Sequence, residues 1–106
     1  MWIFGPPNVE KMKAKRNVKG LIKALGYQKD YKVRRDAAEA LGQIGDARAV
    51  EGLTVKLKDR EEIWEVRVAA AEALGAIGDP TAVDSLIAVL TDKKGDEAIR
   101  GSTALY

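Results

Sequence analysis

Apolar residues recur along the chain with the spacing of one face of an α-helix. Within residues 33–44 they stand at i, i+4, i+7, i+8 and i+11, and residues 66–77 repeat this spacing. Gly45 and Gly78 follow as helix stops, and Asp46 and Asp79 follow them as helix caps. No segment shows the alternation that a strand requires, so the pattern predicts an all-α fold.

The chain repeats itself with a period of 33 residues. Residues 33–65 placed over residues 66–98 give 16 identities in 33 positions without a gap. A third copy opens at Ile99 and Arg100, and residues 17–25 match the segments that open with Ala49 and Ala82. We therefore predict an N-terminal capping segment at residues 1–16 and a repeat domain at 17–106. Its units lie at about 17–45, 46–78 and 79–106, and the last is truncated.

Alanines cluster on the first helix of the repeat, and Leu41 and Leu74 stand among them. Small side chains let helices approach closely, and the leucines fill the space between neighbours. A single helix pair cannot bury the apolar residues that line one face of its helices. The pattern therefore predicts antiparallel helix pairs stacked into an α-solenoid, a superhelix of repeated hairpins.

The repeat carries the pattern V-R-x-x-A-A-x-A-L-G-x-I-G-D followed by A-V-x-x-L. This pattern resembles the short HEAT-like repeat named after phycobilisome lyases, over residues 17–106. The resemblance implies that helices beginning at Val33, Val66 and Ile99 line a concave side. Helices beginning near Val18, Val50 and Val83 would form the outer layer.

Composition excludes several chemistries, because the chain has no cysteine and no histidine. Zinc fingers, thiol nucleophiles and Ser-His-Asp triads are impossible without them. The resemblance extends to bilin lyases and to deoxyhypusine hydroxylase, but the iron of the hydroxylase is held by His-Glu pairs that this chain lacks. We expect no catalytic, cofactor-binding or metal-binding residues and no enzymatic activity. Glu61 and Glu62 are interpreted as solvated loop charges.

Charge is distributed unevenly. Residues 1–35 hold ten basic and two acidic residues, and the remainder holds eight basic and fourteen acidic residues. The first third therefore carries +8 and the rest −6. This difference in charge between the two parts of the chain would steer an anionic partner to the first third, or would favour head-to-tail contact between copies. The alternative interpretation is that the charges simply lie on solvated helix faces.

Arg34, Arg67 and Arg100 share one register of the repeat, as do Asp46 and Asp79. An anion-binding ladder is one interpretation. The interpretation we favour is structural: each arginine reaches an aspartate or a helix-end carbonyl at the turn of an adjacent unit. Arg34, Asp46, Arg67, Asp79, Leu41 and Leu74 are thus the predicted structural residues.

The candidate partner-binding residues flank the repeated skeleton of the helix, mostly at positions where the copies differ, and are expected to project away from the buried stripe of the helix. Tyr31 and Trp64 would act as aromatic anchors among charged neighbours, or else would cover the helix starts. The predicted partner-binding set is Tyr31, Arg35, Asp36, Glu39, Trp64, Val68, Ala69 and Glu72, flanked by Lys32, Gln43, Glu65 and Ala76.

The two ends of the chain carry separate predictions. Asn8 is expected to cap a short helix over residues 9–16, which serves as a lid on the stack or as an arm for a membrane surface or nucleic acid. A lid is the favoured role. At the other end, Ile99, Ala104 and Leu105 predict self-association through an uncovered C-terminal end, unless the chain is a piece of a longer array.

The sequence thus predicts a non-catalytic interaction or scaffold module that binds a protein or peptide on a concave helical face. The alternative is an accessory subunit of a bilin lyase-like or other enzyme complex. No run of eighteen apolar residues is present, and the opening apolar residues are broken by Gly5, Pro6 and Pro7. We therefore expect a cytoplasmic protein without cofactors.

Overall fold

The computed structural model describes residues 5–80, 82–84, 87–88 and 91, and their regular structure is helical throughout. The all-α prediction is confirmed. The helices are α1 (Val9–Ala14), α2 (Val18–Ala24), α3 (Tyr31–Ile44), a short 3-10 turn (Ala47–Ala49), α4 (Val50–Lys58) and α5 (Trp64–Ile77). The predictions made for Ile99, Ala104 and Leu105 lie outside the described residues.

Helices α3 and α5 each begin two residues before the valine that marked their predicted start. Asp30 caps α3, because its Oδ1 accepts a hydrogen bond from the backbone N–H of Lys32 at 2.9 Å. Both helices end as predicted, at glycines with left-handed backbone: φ is 78° at Gly45 and 90° at Gly78. Asp46 then caps the following turn by accepting from the N–H of Arg48 at 2.9 Å.

Helix α1 is the short N-terminal helix predicted from Asn8, whose Oδ1 accepts from the N–H of Lys11 at 2.9 Å. It ends at Ala14, earlier than expected, because the chain turns at Arg16, where φ is 53°. Val9 is buried and Met12 packs against the core, so α1 lies against α2 and α3. Helix α1 therefore covers part of the first helix pair, and its role as a lid on the stack stays a prediction.

The helices form two layers. Helix α3 packs most extensively on α5, and α2 packs on α3 as α4 packs on α5. The start of α2 lies beside the end of α3, since the Arg16 guanidinium donates to the Ile44 carbonyl at 3.5 Å. In the other layer Gly52 of α4 faces the side chains of Ile22 and Leu25. The core between the layers includes the fully buried Leu21, Leu41, Leu53 and Leu74.

Helices α3 and α5 approach each other closely at Gly42. A Cβ atom built on Gly42 would lie 2.8 Å from the Cα atom of Ala73 and 3.0 Å from its Cβ atom. No side chain fits in that space, because the obstacle is backbone rather than the tip of a flexible side chain. The glycine therefore permits the contact that holds the two repeats together.

None of the described helices combines the length and the hydropathy that a bilayer crossing requires.

Gly42 and Gly75 occupy the same position of the repeat and form a matched pair for substitution. Gly42→Ala should lower the free energy of unfolding by about 1–3 kcal/mol, because the added methyl group must push α3 and α5 apart. Gly75 is exposed, and its Cβ would meet the Ala82 Cβ at an ordinary 3.9 Å. Gly75→Ala should therefore raise stability by about 0.5–1 kcal/mol through helix propensity.

Urea unfolding followed by circular dichroism measures both effects. Equal changes in the two variants would show that the approach of α3 to α5 is not limited by Gly42.

Candidate functional site

A shallow groove of about 200 Å³ runs between α3 and α5 on the side away from α2 and α4. Its floor is made of small residues and its walls carry carboxylates. The lining residues are Glu39, Gly42, Gln43, Ala69, Glu72, Ala73 and Ala76. Because the helices approach so closely at Gly42, the floor is continuous backbone and methyl surface rather than an opening into the core.

Glu39 and Glu72 form the two walls of the groove and are related by the 33-residue period. Both are exposed. Arg35 lies 3.9 Å from Glu39 and donates to the Oδ1 of Asp36 at 3.1 and 3.2 Å. The hydrogen bond to Asp36 raises the pKa of Arg35 above its ordinary value. Among the described residues Glu72 makes no such ion pair, so its carboxylate is the more available of the two.

Ala69 belongs to the floor of the groove. The expectation that it projects away from the buried stripe is wrong, since it is only 4% exposed. Ala69 and Ala73 stand one turn apart on the face of α5 that meets α3, which buries both. Val68 is half-buried and packs against the core. The walls and the floor are thus distinct: charged residues stand on the walls and alanines lie beneath them.

Tyr31 and Trp64 are the first residues of α3 and α5, at equivalent positions of the repeat. Both are half-buried, and Trp64 packs against the core, which favours the interpretation that its ring covers a helix start. Neither residue lines the groove. Of the predicted partner-binding set, the structure brings Glu39, Ala69 and Glu72 together in the groove, with the flanking Gln43 and Ala76. The predicted residues outside the groove lining are Tyr31, Arg35, Asp36, Trp64 and Val68.

The side chain of Glu62 is buried, although the residue as a whole is half-buried, and its interpretation as a solvated loop charge is wrong. Its side chain is 4% exposed and accepts two hydrogen bonds from Arg34, Nε to Oε2 at 2.9 Å and Nη2 to Oε1 at 2.8 Å. The Lys56 ammonium lies 3.2 Å from Oε2. A third Arg34 nitrogen donates to the carbonyls of Tyr27 and Gln28 at 2.8 and 3.3 Å. The cluster therefore joins the connection after α2, the start of α3 and the connection before α5.

The prediction that Arg34 reaches an aspartate or a helix-end carbonyl of an adjacent unit is wrong: its partner in the adjacent unit is Glu62, and the carbonyls that it contacts, those of Tyr27 and Gln28, belong to its own unit. Arg34 lies in the first turn of α3, whereas Asp46 follows the end of this 14-residue helix, about 15–20 Å away. Asp46 is held by Arg48 instead, at 2.7–3.2 Å. In the second unit the Nε of Arg67 donates to the Leu57 carbonyl at 2.8 Å, and Asp79 follows the end of α5.

Two carboxyl groups have pKa values shifted by these contacts. Hydrogen bonds from the Arg48 side chain and backbone lower the pKa of Asp46 to about 2. Burial acts to raise the pKa of Glu62, but hydrogen bonds from Arg34, the Ile63 N–H and Lys56 outweigh it and lower the pKa below its ordinary value of 4.5. Both shifts stabilise the charged form, so both groups are anionic structural residues at neutral pH.

A second depression, of about 390 Å³, lies between α2 and α4 on the opposite layer. Its walls combine the apolar Ile22, Leu25 and Val55 with the charged Arg48, Glu51 and Lys56. Val55 is 62% exposed there. Both charge signs share this wall, so it offers no single sign of charge to a partner, unlike the groove between α3 and α5.

Within the described part of the chain, no three carboxylate, imidazole or thiol groups come together as a metal site requires.

The family described as HEAT repeats matches residues 18–105, which is most of the chain. No curated protein matches the sequence.

Glu62→Gln should lower the free energy of unfolding at pH 7 by about 1–3 kcal/mol, because the amide keeps the shape but cannot bind Arg34 and Lys56 as an anion. The folded pKa of Glu62 is below its ordinary value. The stabilisation is therefore complete above about pH 5 and is lost as the pH falls through the folded value. The difference between wild type and variant should shrink as the pH falls toward 3.

Glu61→Gln is the control, since Glu61 is the exposed neighbour in the same connection. Guanidinium or urea unfolding curves at a series of pH values measure both variants. A Glu62→Gln effect as small as that of Glu61→Gln, or one that does not change with pH, would contradict the assignment.

Proposed function

The chain belongs to the HEAT repeat family, and from that membership we propose that it is a non-catalytic protein–protein interaction module. HEAT repeats generally mediate such interactions. We further propose that its units belong to the short subtype of the repeat, since the period is 33 residues. In this proposal the helix pairs stack as an α-solenoid, with α3 and α5 lining the concave side.

The observation that supports this function best is the groove between α3 and α5. Its floor is formed by small residues, of which Gly42, Ala69 and Ala73 are buried. A floor without long side chains lets a partner chain approach the helix backbones closely. The repeated Glu39 and Glu72 then offer hydrogen-bond acceptors on either side. The groove thus combines an apolar contact surface with polar walls, as binding sites do.

The groove fits a segment of polypeptide better than a small molecule. Its volume is about 200 Å³, below the range of about 300–1,000 Å³ for small-molecule sites, and it is open along its length. A protruding side chain of an extended or helical segment can enter it while the main chain stays above the walls. The partner is therefore a protein or peptide, and Glu39, Ala69 and Glu72 contact it.

A non-catalytic role agrees with the titratable groups that the structure describes. The carboxyls with lowered pKa values, Asp46 and Glu62, are engaged by arginines and a lysine in structural contacts outside the groove. Their charges are held by these contacts rather than prepared for proton transfer.

Ala76→Arg tests the groove, because Ala76 is an exposed residue of its lining. A peptide selected from a random display library on the wild-type protein provides the probe, and fluorescence anisotropy measures its dissociation constant. Ala76→Arg should weaken that peptide at least about tenfold, since the long side chain occupies the space that the peptide needs.

Ala47→Arg is the matched control: it makes the same change at an exposed alanine outside the groove and should alter the dissociation constant by less than about twofold. Selection of peptides whose affinity is the same for both variants would reject the groove as the binding site.

A further inference from the structure

The longest stretch of basic residues without an intervening acidic residue begins on α1 and continues through α2. From Lys11 to Lys29 the sequence contains seven basic residues and no acidic residue. We call Lys11, Lys13, Lys15, Lys19 and Lys23 the basic surface. All of them except the half-buried Lys13 are exposed.

The basic surface lies on the solvent side of both helices. Helix α1 turns Val9 toward the core, and α2 turns Val18, Leu21 and Ala24 toward it. Lys11 and Lys15 stand one turn apart, as do Lys19 and Lys23, so each pair forms a ridge on one helix side. Because α1 and α2 pack against each other, the two ridges belong to neighbouring surfaces.

Four of these five lysines take no part in the ion pairs of the described part of the chain. The ion pairs found there join Arg34 and Lys56 to Glu62, Arg35 to Asp36 and Glu39, and Arg48 to Asp46. Lys11, Lys13, Lys15 and Lys19 take part in none of them. Each ammonium is therefore available to an anion from outside the molecule.

We propose that the basic surface binds the phosphate backbone of nucleic acid without reading its sequence. Cationic side chains that replace the counterions of a phosphate polyanion gain affinity from counterion release, and this needs no apolar contact. Lysine would recognise the phosphates by their charge alone, because its ammonium is a compact charge on a flexible chain and lacks the planar guanidinium group of arginine.

The lack of large exposed apolar side chains on α1 and α2 favours nucleic acid over a protein or a membrane as the occupant. Large hydrophobic side chains found exposed in the structure are Val55, Ile63, Val83 and Ile87; none of them lies on α1 or α2, although Val55 borders α2 in the depression with Ile22 and Leu25. Protein interfaces depend on buried apolar anchors and contain few lysines at their centre, and membrane-bound helices insert apolar side chains. A surface made of solvated ammonium groups supplies neither.

Binding should be independent of sequence. Residues 5–26 contain no aromatic side chain on which a base could stack. Arg16 is the arginine of this segment, and its guanidinium donates to the Ile44 carbonyl at 3.5 Å. It is therefore not positioned to form the paired hydrogen bonds by which arginine recognises a guanine base. Contact is therefore limited to the phosphate backbone.

The test uses the full chain and two fluorescein-labelled 20-base-pair DNA duplexes of unrelated sequence, titrated at several salt concentrations. Wild type should bind both duplexes equally, with an affinity that falls steeply as salt rises. The triple variant Lys11→Gln, Lys15→Gln, Lys19→Gln should weaken binding at least about tenfold at low salt. It should also reduce the slope of log K against log salt by about 2 to 3, since each lost phosphate contact contributes about 0.9.

A second triple variant, Lys29→Gln, Lys32→Gln, Lys58→Gln, removes the same charge from exposed positions outside the basic surface. It should reduce the slope by less than about 1. Thermal unfolding establishes that both variants are folded. Equal losses in the two variants would assign binding to net charge and overturn the proposal.

Competition identifies the anion. Poly-glutamate and equimolar phosphatidylserine–phosphatidylcholine vesicles should displace the duplex poorly at matched charge concentration. If either competes better than unlabelled duplex, or if wild type fails to bind at low salt, the proposal is rejected. Ala76→Arg should leave duplex affinity unchanged, so this test is independent of the groove.

Discussion

The packing of α3 against α5 is the constraint on which the rest of the structure depends. Their backbones meet at Gly42 and Ala73, where a single added carbon would lie within 3.0 Å of two atoms. This close contact places Leu41 and Leu74 in the core between the layers, and it makes the groove shallow with a floor of methyl groups. A longer distance between the helices would open the core to water and remove the floor of the groove.

A polar contact strengthens the same junction at the other end of the helices. Arg34 and Glu62 come from different units and meet with their side chains almost fully buried. Burying two charges costs desolvation free energy, and the cost is offset here by four hydrogen bonds from Arg34 and by Lys56. Because the loss of either partner would leave a buried charge, the contact favours one register of α3 on α5 over its alternatives.

Much of the fold could be predicted from the sequence, because period and helix signals are local. The glycine stops, the aspartate caps and the helical spacing of residues 33–44 each depend on neighbours within a few positions.

The groove was only partly predictable: the repeat placed Glu39 and Glu72 in one register, but whether Ala69 is exposed depends on how closely α3 approaches. Glu62 was missed because its partner is 28 residues away and its loop looks polar. Placing the connection between α4 and α5 beside the first turn of α3 would have brought Glu62 next to Arg34.

The Arg34–Glu62 contact also makes the units unequal. By the 33-residue period, the position that corresponds to Glu62 in the next unit is Gly95, while the arginine is retained as Arg67. The repeat units are therefore not interchangeable. A permuted or shuffled array that brought the later connection beside Arg34 would set a buried guanidinium against a glycine, so the order of the repeats is itself encoded in the sequence.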